Sequence, residues 1–385
     1  MLSTLAAFGT FAVGFIARPM AGMVFGHLGD RLGRKKMLLV TMVLMGLATT
    51  GIGLLPSYAS AGIWAPIGLI ALRIVQGISV GGEWGGAVLM ASEHAPAKRK
   101  VFYASFAQLG SPAGLLLALI AFRLVSSLEP EEFLSWGWRL PFLASGVLML
   151  VGLAIRFGVE ESPEFQAAKA KKEVVKYPVL EVVRDCWRQI LFAALAVTIG
   201  SAGFFFTNTF MITYVTTYQG IPRATILDCL FLVTILQFLT QPLAALLAER
   251  IGEGRFLKLA ALLCMAVPYP MFMLVGTQNL VLMTAGIALA VVTLSALYAV
   301  IAGYMTQAFP AHLRYSGISL AYQLICAIAG GSTPIIGTLL ADRFAGQWLP
   351  LAVFFTALST LSLIGVCGLS RLRGEQQEST PAIAR

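Results

Sequence analysis

The stretch Gly26-His27-Leu28-Gly29-Asp30-Arg31-Leu32-Gly33-Arg34-Lys35-Lys36 carries four cations and lies between two apolar runs. Each run is long enough to cross a hydrocarbon core of about 30 Å at roughly 1.5 Å per helical residue. Because Lys and Arg concentrate in cytoplasmic loops, the stretch predicts a cytoplasmic loop between two membrane helices. It therefore decides both the class of fold and the direction in which the chain threads the bilayer.

The composition also indicates a membrane protein. Hydrophobic residues make up 58% of the chain and charged residues 12%, whereas about 25% is usual in soluble domains. The net charge of +9 comes from cations between apolar segments, which is typical of membrane topology and argues against nucleic-acid binding. The five cysteines are scattered in or beside apolar runs without a C-x-x-C motif, so they predict neither a metal site nor a disulfide framework.

Eleven apolar segments have the length of a membrane helix. With residues 26–36 inside, most of the Lys and Arg fall in inside segments, while the outside loops contain Arg223 and Arg343. This threading leaves Met1 outside and Arg385 inside, so it predicts a cytoplasmic C-terminus. The predicted spans are 2–25, 37–56, 66–92, 102–125, 138–157, 189–215, 225–248, 256–275, 280–306, 315–340 and 349–370.

A hydrophilic segment divides the chain into two parts of similar pattern. We predict an all-α membrane protein with an N-terminal bundle of five helices at 1–158, a cytoplasmic inter-bundle loop at 159–188, a C-terminal bundle of six helices at 189–370 and a cytoplasmic tail at 371–385. Internal repetition supports this division. The stretch from Gly26 to Arg34 is echoed by Leu246 to Arg255, and Ala95-Pro96-Ala97 by Phe309-Pro310-Ala311. Repeats of six helices are a known transporter architecture, and on that pattern the first helix of the first half is missing.

Further motifs occur in the same order as in one known family. They are Arg18-Pro19, Arg73-Ile74-Val75-Gln76-Gly77-Ile78-Ser79-Val80-Gly81-Gly82-Glu83-Trp84-Gly85-Gly86, Gly137-Trp138-Arg139-Leu140-Pro141-Phe142, Glu161-Ser162-Pro163-Glu164-Phe165 and Arg314-Tyr315-Ser316-Gly317. Together with the G-x-x-x-D-R-x-G-R-K pattern of residues 26–36, they resemble the metabolite:proton symporter family of the major facilitator superfamily. Tyr322-Gln323 and Gly330-Gly331-Ser332-Thr333-Pro334 resemble its shikimate-transporter branch. One departure is that the second half has Glu249 and Glu253 where an Asp and a basic residue are usual.

The resemblance implies two six-helix bundles that rock about a substrate site between them. It implies a transporter, not an enzyme, which takes up a small polar metabolite such as a shikimate-like acid or a dicarboxylate, with a proton as coupling ion and no cofactor or metal. We expect a monomer in a bacterial-type inner membrane, whose partners are the metabolite and the lipid bilayer. Two alternatives remain: a proton-independent facilitator, and a truncated inactive paralogue or sensor, which the missing first helix favours.

Arg18, Arg73 and Glu83 fall within predicted spans. A charge at the centre of a membrane helix costs about 2.5–3.5 kcal/mol on insertion scales, so each needs a partner or a wet cavity. Arg18 and Glu83 lie at similar predicted depth, which predicts an ion pair that either holds helices together or opens when Glu83 is protonated. The resemblance matches Arg73 to a buried arginine that faces an acid on the first helix, so it is a candidate for anion binding or for a structural role.

Polar side chains within the spans are further candidates for substrate binding. They either bond neighbouring helices or line a midplane cavity that can hydrogen-bond hydroxyls and carboxylates. The candidates are Gln76, Gln108, Asn208, Tyr214, Gln237, Gln241, Tyr298, Tyr304, Tyr322 and Gln323.

Glycines repeat every four residues at Gly77, Gly81 and Gly85, which predicts close approach of another helix. Residues 77–81 also fit the G-x-S-x-G pattern of serine hydrolases. All three histidines of the chain map to predicted cytoplasmic segments, so Ser79 has no base nearby. The hydrolase interpretation is therefore rejected.

Charged residues at the cytoplasmic helix ends resemble the ionic latch that closes the inside of an outward-facing transporter. Solvated loop charge is the alternative. Surface ion pairs are individually weak, which suits a contact that must break in each cycle. The predicted latch comprises Gly26, Asp30, Arg31, Gly33, Arg34, Glu93, Arg99 and Glu161.

Overall fold

The computed structural model describes residues 2–171 and 175–379, with side chains described for 14–171 and 175–375, and this part contains helices and no strand. The helices up to the inter-bundle segment are α1 Leu2–Leu32, α2 Arg34–Leu54, α3 Tyr58–Ala61, α4 Trp64–Glu93, α5 Lys100–Val125, α6 Pro130–Ser135 and α7 Leu140–Gly158. The inter-bundle segment contains α8 Pro163–Ala170 and α9 Pro178–Asp185. The remaining helices are α10 Trp187–Phe205, α11 Met211–Tyr218, α12 Arg223–Ile251, α13 Glu253–Ala266, α14 Pro268–Val275, α15 Leu280–Thr306, α16 Arg314–Ile325, α17 Gly331–Arg343 and α18 Trp348–Ser379.

Ten helical segments of the described residues are long and apolar enough to cross a membrane. They coincide with the predicted spans from 37–56 to 349–370, so the prediction of an all-α membrane protein is confirmed. The predicted span 2–25 lies in α1, and the side chains of its residues 2–13 are outside the described range.

Residues 26–36 were predicted to form a loop, and this prediction was wrong in its extent. The helix α1 continues to Leu32, and α2 begins at Arg34. Only Gly33 lies outside a helix, with φ 111° and ψ 151°, a conformation that glycine enters at little cost because it has no Cβ. The reversal of chain direction takes one residue, so the charged side chains on either side are carried by rigid helix ends.

The inter-bundle segment is likewise more ordered than predicted, because it contains α8 and α9. Ser162 caps α8 by accepting a hydrogen bond from the Phe165 backbone N–H at 3.2 Å. Pro163 occupies the first turn, where its missing N–H costs nothing.

Two membrane helices each contain a π-helical turn. Residues Phe206–Phe210 join α10 to α11, and Cys326–Gly330 join α16 to α17. A π-helical turn contains an extra residue and often occurs at functional sites, because it changes the direction of the side chains beyond it. Candidate Asn208 lies in the first of these turns.

The chain forms two compact units. The first comprises Met1–His94, Ala113–Val182 and Ala311–Gln323, and the second comprises Ala95–Pro112, Val183–Pro310 and Leu324–Arg385. Within the first unit α4 packs against α1 and α2, and α2 packs against α7. Within the second, α10 packs against α18, and α12 and α13 pack against α15. The division into bundles at 1–158 and 189–370 stays a prediction.

The glycine face of α4 allows α1 to approach closely. A Cβ placed on Gly81 would lie 2.6 Å from the carbonyl oxygen of Arg18 and from the Cβ of Ala21. Real Cβ atoms do not come so near, so these positions require glycine. The predicted close approach is therefore confirmed, with α1 as the partner.

Candidate functional site

The Asp30 carboxylate, at the end of α1, caps the beginning of α16. It accepts hydrogen bonds from the Tyr315 N–H at 3.2 Å, the Ser316 N–H at 2.9 Å and the Ser316 hydroxyl at 2.8 Å. The first N–H groups of a helix have no partner within the helix and carry its positive dipole end, so a carboxylate there is stabilising. Asp30 thus joins the first charged stretch to a helix nearly 300 residues further along the chain.

Arg34, one helical turn beyond Asp30, is a fully buried cation. Its guanidinium lies 3.4 Å from Asp30 and 3.5 Å from Glu93, and it donates to the Ala311 carbonyl at 3.0 Å. Its charge also lies over the Phe165 ring, 4.9 Å from the centroid. One arginine therefore links α1, α4, α8 and the segment that precedes α16.

Glu93, at the end of α4, extends this network. It accepts a hydrogen bond from the Ser162 hydroxyl and lies 3.2 Å from Arg314 at the start of α16. Arg314 in turn contacts Glu164 of α8. The inter-bundle segment therefore supplies two partners, Ser162 and Glu164, that the sequence interpretation missed.

Glu161 serves as the cap of α2. Its carboxylate accepts from the backbone N–H groups of Arg34 at 3.0 Å and Lys35 at 3.2 Å. The resulting group of side chains balances four carboxylates against two guanidiniums and the N-termini of two helices. We call it the charge cluster, and it comprises Asp30, Arg34, Glu93, Glu161, Ser162, Glu164 and Arg314.

The latch prediction assumed ion pairs at the protein surface, and the burial of these side chains shows that this assumption was wrong. Asp30, Arg34 and Glu93 are 2%, 1% and 6% exposed, so they are neither solvated loop charges nor surface ion pairs. Buried charge pairs are costly to break one partner at a time, since the charge left behind has no compensation. Arg31 is exposed and lies apart from these contacts.

The two predicted glycines of the latch are close-packing positions. A Cβ on Gly26 would lie 2.8 Å from the Cα of Ser316. A Cβ on Gly33 would overlap the Glu161 carboxylate. Both glycines thus let the charged groups around them reach their partners.

Arg99 was predicted to join Asp30 and Glu93, but the structure gives it a different partner, Glu249, at 3.4 Å in the second unit. Glu249 lies near the end of α12 and accepts from the Phe102 backbone N–H at 2.9 Å, so it caps the beginning of α5. Close packing supports this contact, because a Cβ on Gly303 would lie 2.7 Å from the Cα of Val101.

The two caps have the same form. In each, a carboxylate near the end of one helix, Asp30 or Glu249, accepts N–H groups at the start of a helix that follows a Pro-Ala dipeptide. The internal repeat indicated these stretches, but no sequence signal paired them. Glu249 stands where the family pattern has an aspartate, and its longer side chain still reaches the helix.

Glu83 has a partner other than the predicted one. It pairs with Arg156 of α7, whose Nη2 lies 2.9 Å from Oε1 of Glu83 and whose Nη1 donates to the Leu38 carbonyl at 2.6 Å. The predicted pair of Glu83 with Arg18 is therefore wrong. The Arg18 guanidinium lies over the Phe15 ring at 4.1 Å, and its Nε has no hydrogen-bond partner among the described residues.

A cavity of about 240 Å³ opens beside Glu83. Methionines make up much of its wall, and two hydroxyls face it together with the carboxylate. The lining residues are Met42, Met45, Gly46, Thr49, Glu83, Ser145, Leu148 and Met149. Thr49 also accepts a hydrogen bond from Gln76 at 2.7 Å, and Gln76 accepts one from Arg73 at 3.1 Å, which links the predicted candidates Gln76 and Arg73 to this wall.

Tyr322 and Gln323 pack against α4 in the first unit. The Tyr322 ring stacks on Trp84 with centroids 3.6 Å apart and planes 8° from parallel. The Gln323 amide donates to the Val80 carbonyl at 3.0 Å. Both candidates thus lie one to two turns beyond Ser316 on α16.

The candidates in the second unit form a smaller polar site. Asn208 and Gln237 line a narrow cavity with Tyr298, and Gln108 donates to the Tyr298 carbonyl at 3.1 Å. Gln237 is 5% exposed, and its amide oxygen has no partner among the described residues, so it can accept a hydrogen bond from a ligand. Tyr214 lies elsewhere, since its hydroxyl donates to the Gly346 carbonyl at 2.9 Å.

Within the described residues, no group of His, Cys, Asp or Glu side chains is arranged to hold a metal ion. The polar side chains that line the two cavities are amides, hydroxyls and Glu83, and Glu83 pairs with Arg156. Such groups are able to bind a polar solute through hydrogen bonds and charge.

Known proteins with similar sequences are membrane transporters. The family described as Major Facilitator Superfamily matches residues 3–334. The shikimate transporter of Escherichia coli strain K12 is 41% identical over 366 residues, which are 92% of this chain and 82% of that protein. The proline/betaine transporter of Salmonella typhimurium is 33% identical over 370 residues, which are 94% of this chain and 74% of that protein.

A solved structure has the same fold. The proton:xylose symporter XylE bound to 6-bromo-6-deoxy-D-glucose matches with a TM-score of 0.69 over 99% of this chain and 88% of that chain, at 17% identity. The chain belongs to the Major Facilitator Superfamily. It is a multi-pass membrane transporter of small metabolites, not an enzyme, and its resemblance to shikimate-type transporters is confirmed.

Proposed function

We propose that this transporter takes up a small polar organic acid together with a proton, by alternating access. The observation that supports proton coupling is the ion pair between Glu83 and Arg156. A carboxylate within a membrane helix is stable either ionised beside a cation or protonated and neutral. Glu83 has one cation at 2.9 Å and borders a cavity, so it can pass between these two states.

Two observations support an organic acid as the substrate: the names of the relatives and the side chain of Arg18. The relative that is 41% identical is a shikimate transporter, and those that carry proline and betaine are less similar. The Nε of Arg18, which is without a hydrogen-bond partner among the described residues, is free to donate to a carboxylate. Gln237 and Asn208 offer amides suited to hydroxyl groups.

The charge cluster then serves as the inside gate. In the conformation described here the Asp30 cap of α16 and the Glu249 cap of α5 are both formed. We propose that both caps are formed when the transporter is closed on the cytoplasmic side, with the C-terminus in the cytoplasm and the protein in an inner membrane. Opening breaks the caps and exposes the N-termini of both helices to water, which can solvate them.

Uptake of labelled shikimate into proteoliposomes tests the proposal, with an imposed inward proton gradient and with the gradient collapsed by a protonophore. We expect accumulation above equilibrium only with the gradient, and competition by unlabelled shikimate but not by proline. Equilibration that ignores the gradient would indicate the facilitator instead. Absence of any uptake by folded protein would favour the inactive paralogue or sensor.

A further inference from the structure

An exposed apolar stripe runs along α9 and onto the first turns of α10. Leu180 is 68% exposed, Trp187 56% and Leu191 46%. Tyr177 and Val183, also exposed, fall on the same side, because residues three or four apart share one face of a helix. Water would hydrate this stripe at a cost in free energy, so something apolar covers it.

The opposite side of the same segment is buried against the protein. Pro178, Val182, Cys186 and Ile190 are buried at intervals of four residues. This buried stripe continues across the helix break at Cys186, where φ is −120° and ψ is 22°. Since the buried stripe continues across the break, the exposed stripe does as well.

The far end of the exposed stripe indicates what covers it. Leu191 lies inside the membrane span Trp187–Tyr218, where an outward apolar side chain faces lipid. The stripe therefore faces lipid at its Leu191 end and leads out of the span toward Leu180. Val183 lies four residues before Trp187, which at helical rise is about 6 Å, similar to the thickness of the headgroup layer. The break at Cys186, between the two helices, lets α9 lean toward the leaflet.

Cations and aromatic rings flank the part of the stripe that lies outside the membrane span. The Lys176 amine lies 5.4 Å from the Tyr177 ring, and the Arg188 guanidinium lies 5.9 Å from the Trp187 ring. Tyr and Trp with adjacent basic residues are typical of the membrane interface, where the rings lie among headgroups and the cations reach phosphates.

The helix α9 carries two acidic side chains, and each has a basic neighbour. Glu181 lies 3.7 Å from His312. Arg184 binds Asp185 through two hydrogen bonds of 2.8 and 2.9 Å. These hydrogen bonds hold the pKa of the Asp185 carboxyl below its usual range. Asp185 therefore remains ionised and paired, whereas Lys176 and Arg188 have no ion-pair partner among the described residues.

We propose that α9 and Trp187 form a membrane-docking surface for the cytoplasmic leaflet. Tyr177, Leu180 and Val183 enter the headgroup layer, and Lys176 and Arg188 bind the phosphates of anionic phospholipids. The surface ties the inter-bundle segment, which also supplies Ser162 and Glu164 to the charge cluster, to the bilayer. It is independent of which substrate is carried and of proton coupling.

Site-directed spin labelling of the full-length protein tests this surface. In a variant with the native cysteines replaced, a nitroxide is attached at Leu180→Cys, at Val183→Cys or at the matched control Asp185→Cys, which is exposed but off the stripe. The protein is reconstituted in vesicles of phosphatidylethanolamine with phosphatidylglycerol. Collision rates with oxygen, which partitions into lipid, and with a water-soluble nickel chelate are then compared.

We expect the ratio of oxygen to nickel collisions at positions 180 and 183 to exceed that at 185 several-fold. A label at 180 that nickel reaches as readily as at 185 would overturn the proposal. So would a label shielded from both reagents, which would indicate a protein partner or a second copy. Exchange of phosphatidylglycerol for phosphatidylcholine, or Lys176→Gln with Arg188→Gln, should lower the ratio at 180, and an unchanged ratio would overturn the role of anionic lipid.

Discussion

Asp30 and Ser316 are joined by two hydrogen bonds, from the backbone N–H at 2.9 Å and from the hydroxyl at 2.8 Å, although 286 residues separate them in the chain. Asp30 is 2% exposed, so water does not weaken these bonds. Hydrogen bonds to a charged group each contribute about 1.5–3 kcal/mol to stability. A contact of this strength biases the transporter toward the conformation in which it is formed.

Asp30→Asn should shift the population toward the state open on the cytoplasmic side, because the uncharged amide binds the helix N-terminus less strongly. A loss of about 1.4 kcal/mol changes the ratio of states about tenfold. Ser319 is fully buried beside Gly85, so the rate at which a thiol reagent labels Ser319→Cys reports opening. We expect that rate to rise about tenfold and transport to slow.

The control for this variant is Arg31→Gln, since Arg31 is exposed beside the same stretch. It should leave the labelling rate at position 319 as in the parent. If Asp30→Asn also leaves both labelling and transport unchanged, the charge cluster does not act as a gate, and its charges serve only to orient the chain in the membrane.

Glu249→Gln should have the corresponding effect in the second unit. It removes the charge that caps α5 at Phe102 and that pairs with Arg99. Labelling of Ser105→Cys, a fully buried position on α5, should accelerate by a similar factor. Glu253→Gln is the matched control, because Glu253 contacts Arg373 and Gln307 rather than α5. Equal rates in the two variants would show that Glu249 contributes nothing beyond surface charge.

Gly33→Ala should destabilise the protein by roughly 1–3 kcal/mol, because alanine pays for a positive φ and its methyl group meets the Glu161 carboxylate. The loss should appear as a lower thermal unfolding midpoint in detergent. Gly158→Ala is the control, since a Cβ there has no neighbour within 4 Å. A midpoint equal to that of Gly158→Ala would mean that the turn tolerates a side chain.

The threading of the chain can be tested independently of transport. A cysteine at Ser127 should react with an impermeant thiol reagent added outside intact cells, whereas one at Ala170 should not, in a variant with the native cysteines replaced. Both positions are exposed, so access alone decides the result. Labelling in the reverse sense would invert the assignment of the two faces.

Hydropathy predicted the helices well because a membrane span must be apolar over about 20 residues, whatever its partners. The motif of residues 26–36 likewise identified Asp30 and Arg34. Arg314 and Ser316 were recognised as part of a separate motif, but the sequence could not pair them with Glu93 and Asp30, because a cap between distant helices leaves no local pattern. The same holds for Glu249 and α5, where the repeat marked the stretches but not their pairing.

The incorrect pair of Arg18 and Glu83 shows a different limit. Both residues were placed at the same depth, and depth gives the height of a side chain in the membrane. It does not give the direction in which the side chain leaves its helix. Glu83 points to Arg156 on α7. Arg156 lies within the predicted span 138–157, so a second charge inside the membrane was the sequence signal that could have identified this partner.

The most direct test of the account compares two transport modes of Glu83→Gln in proteoliposomes. The amide has the shape of the carboxyl but cannot exchange a proton, so the variant mimics the protonated state. We predict that accumulation driven by a proton gradient is lost, while exchange of internal for external substrate persists. Arg31→Gln should retain both modes. Gradient-driven accumulation by Glu83→Gln at the parental level would contradict the assignment of Glu83 as the proton site.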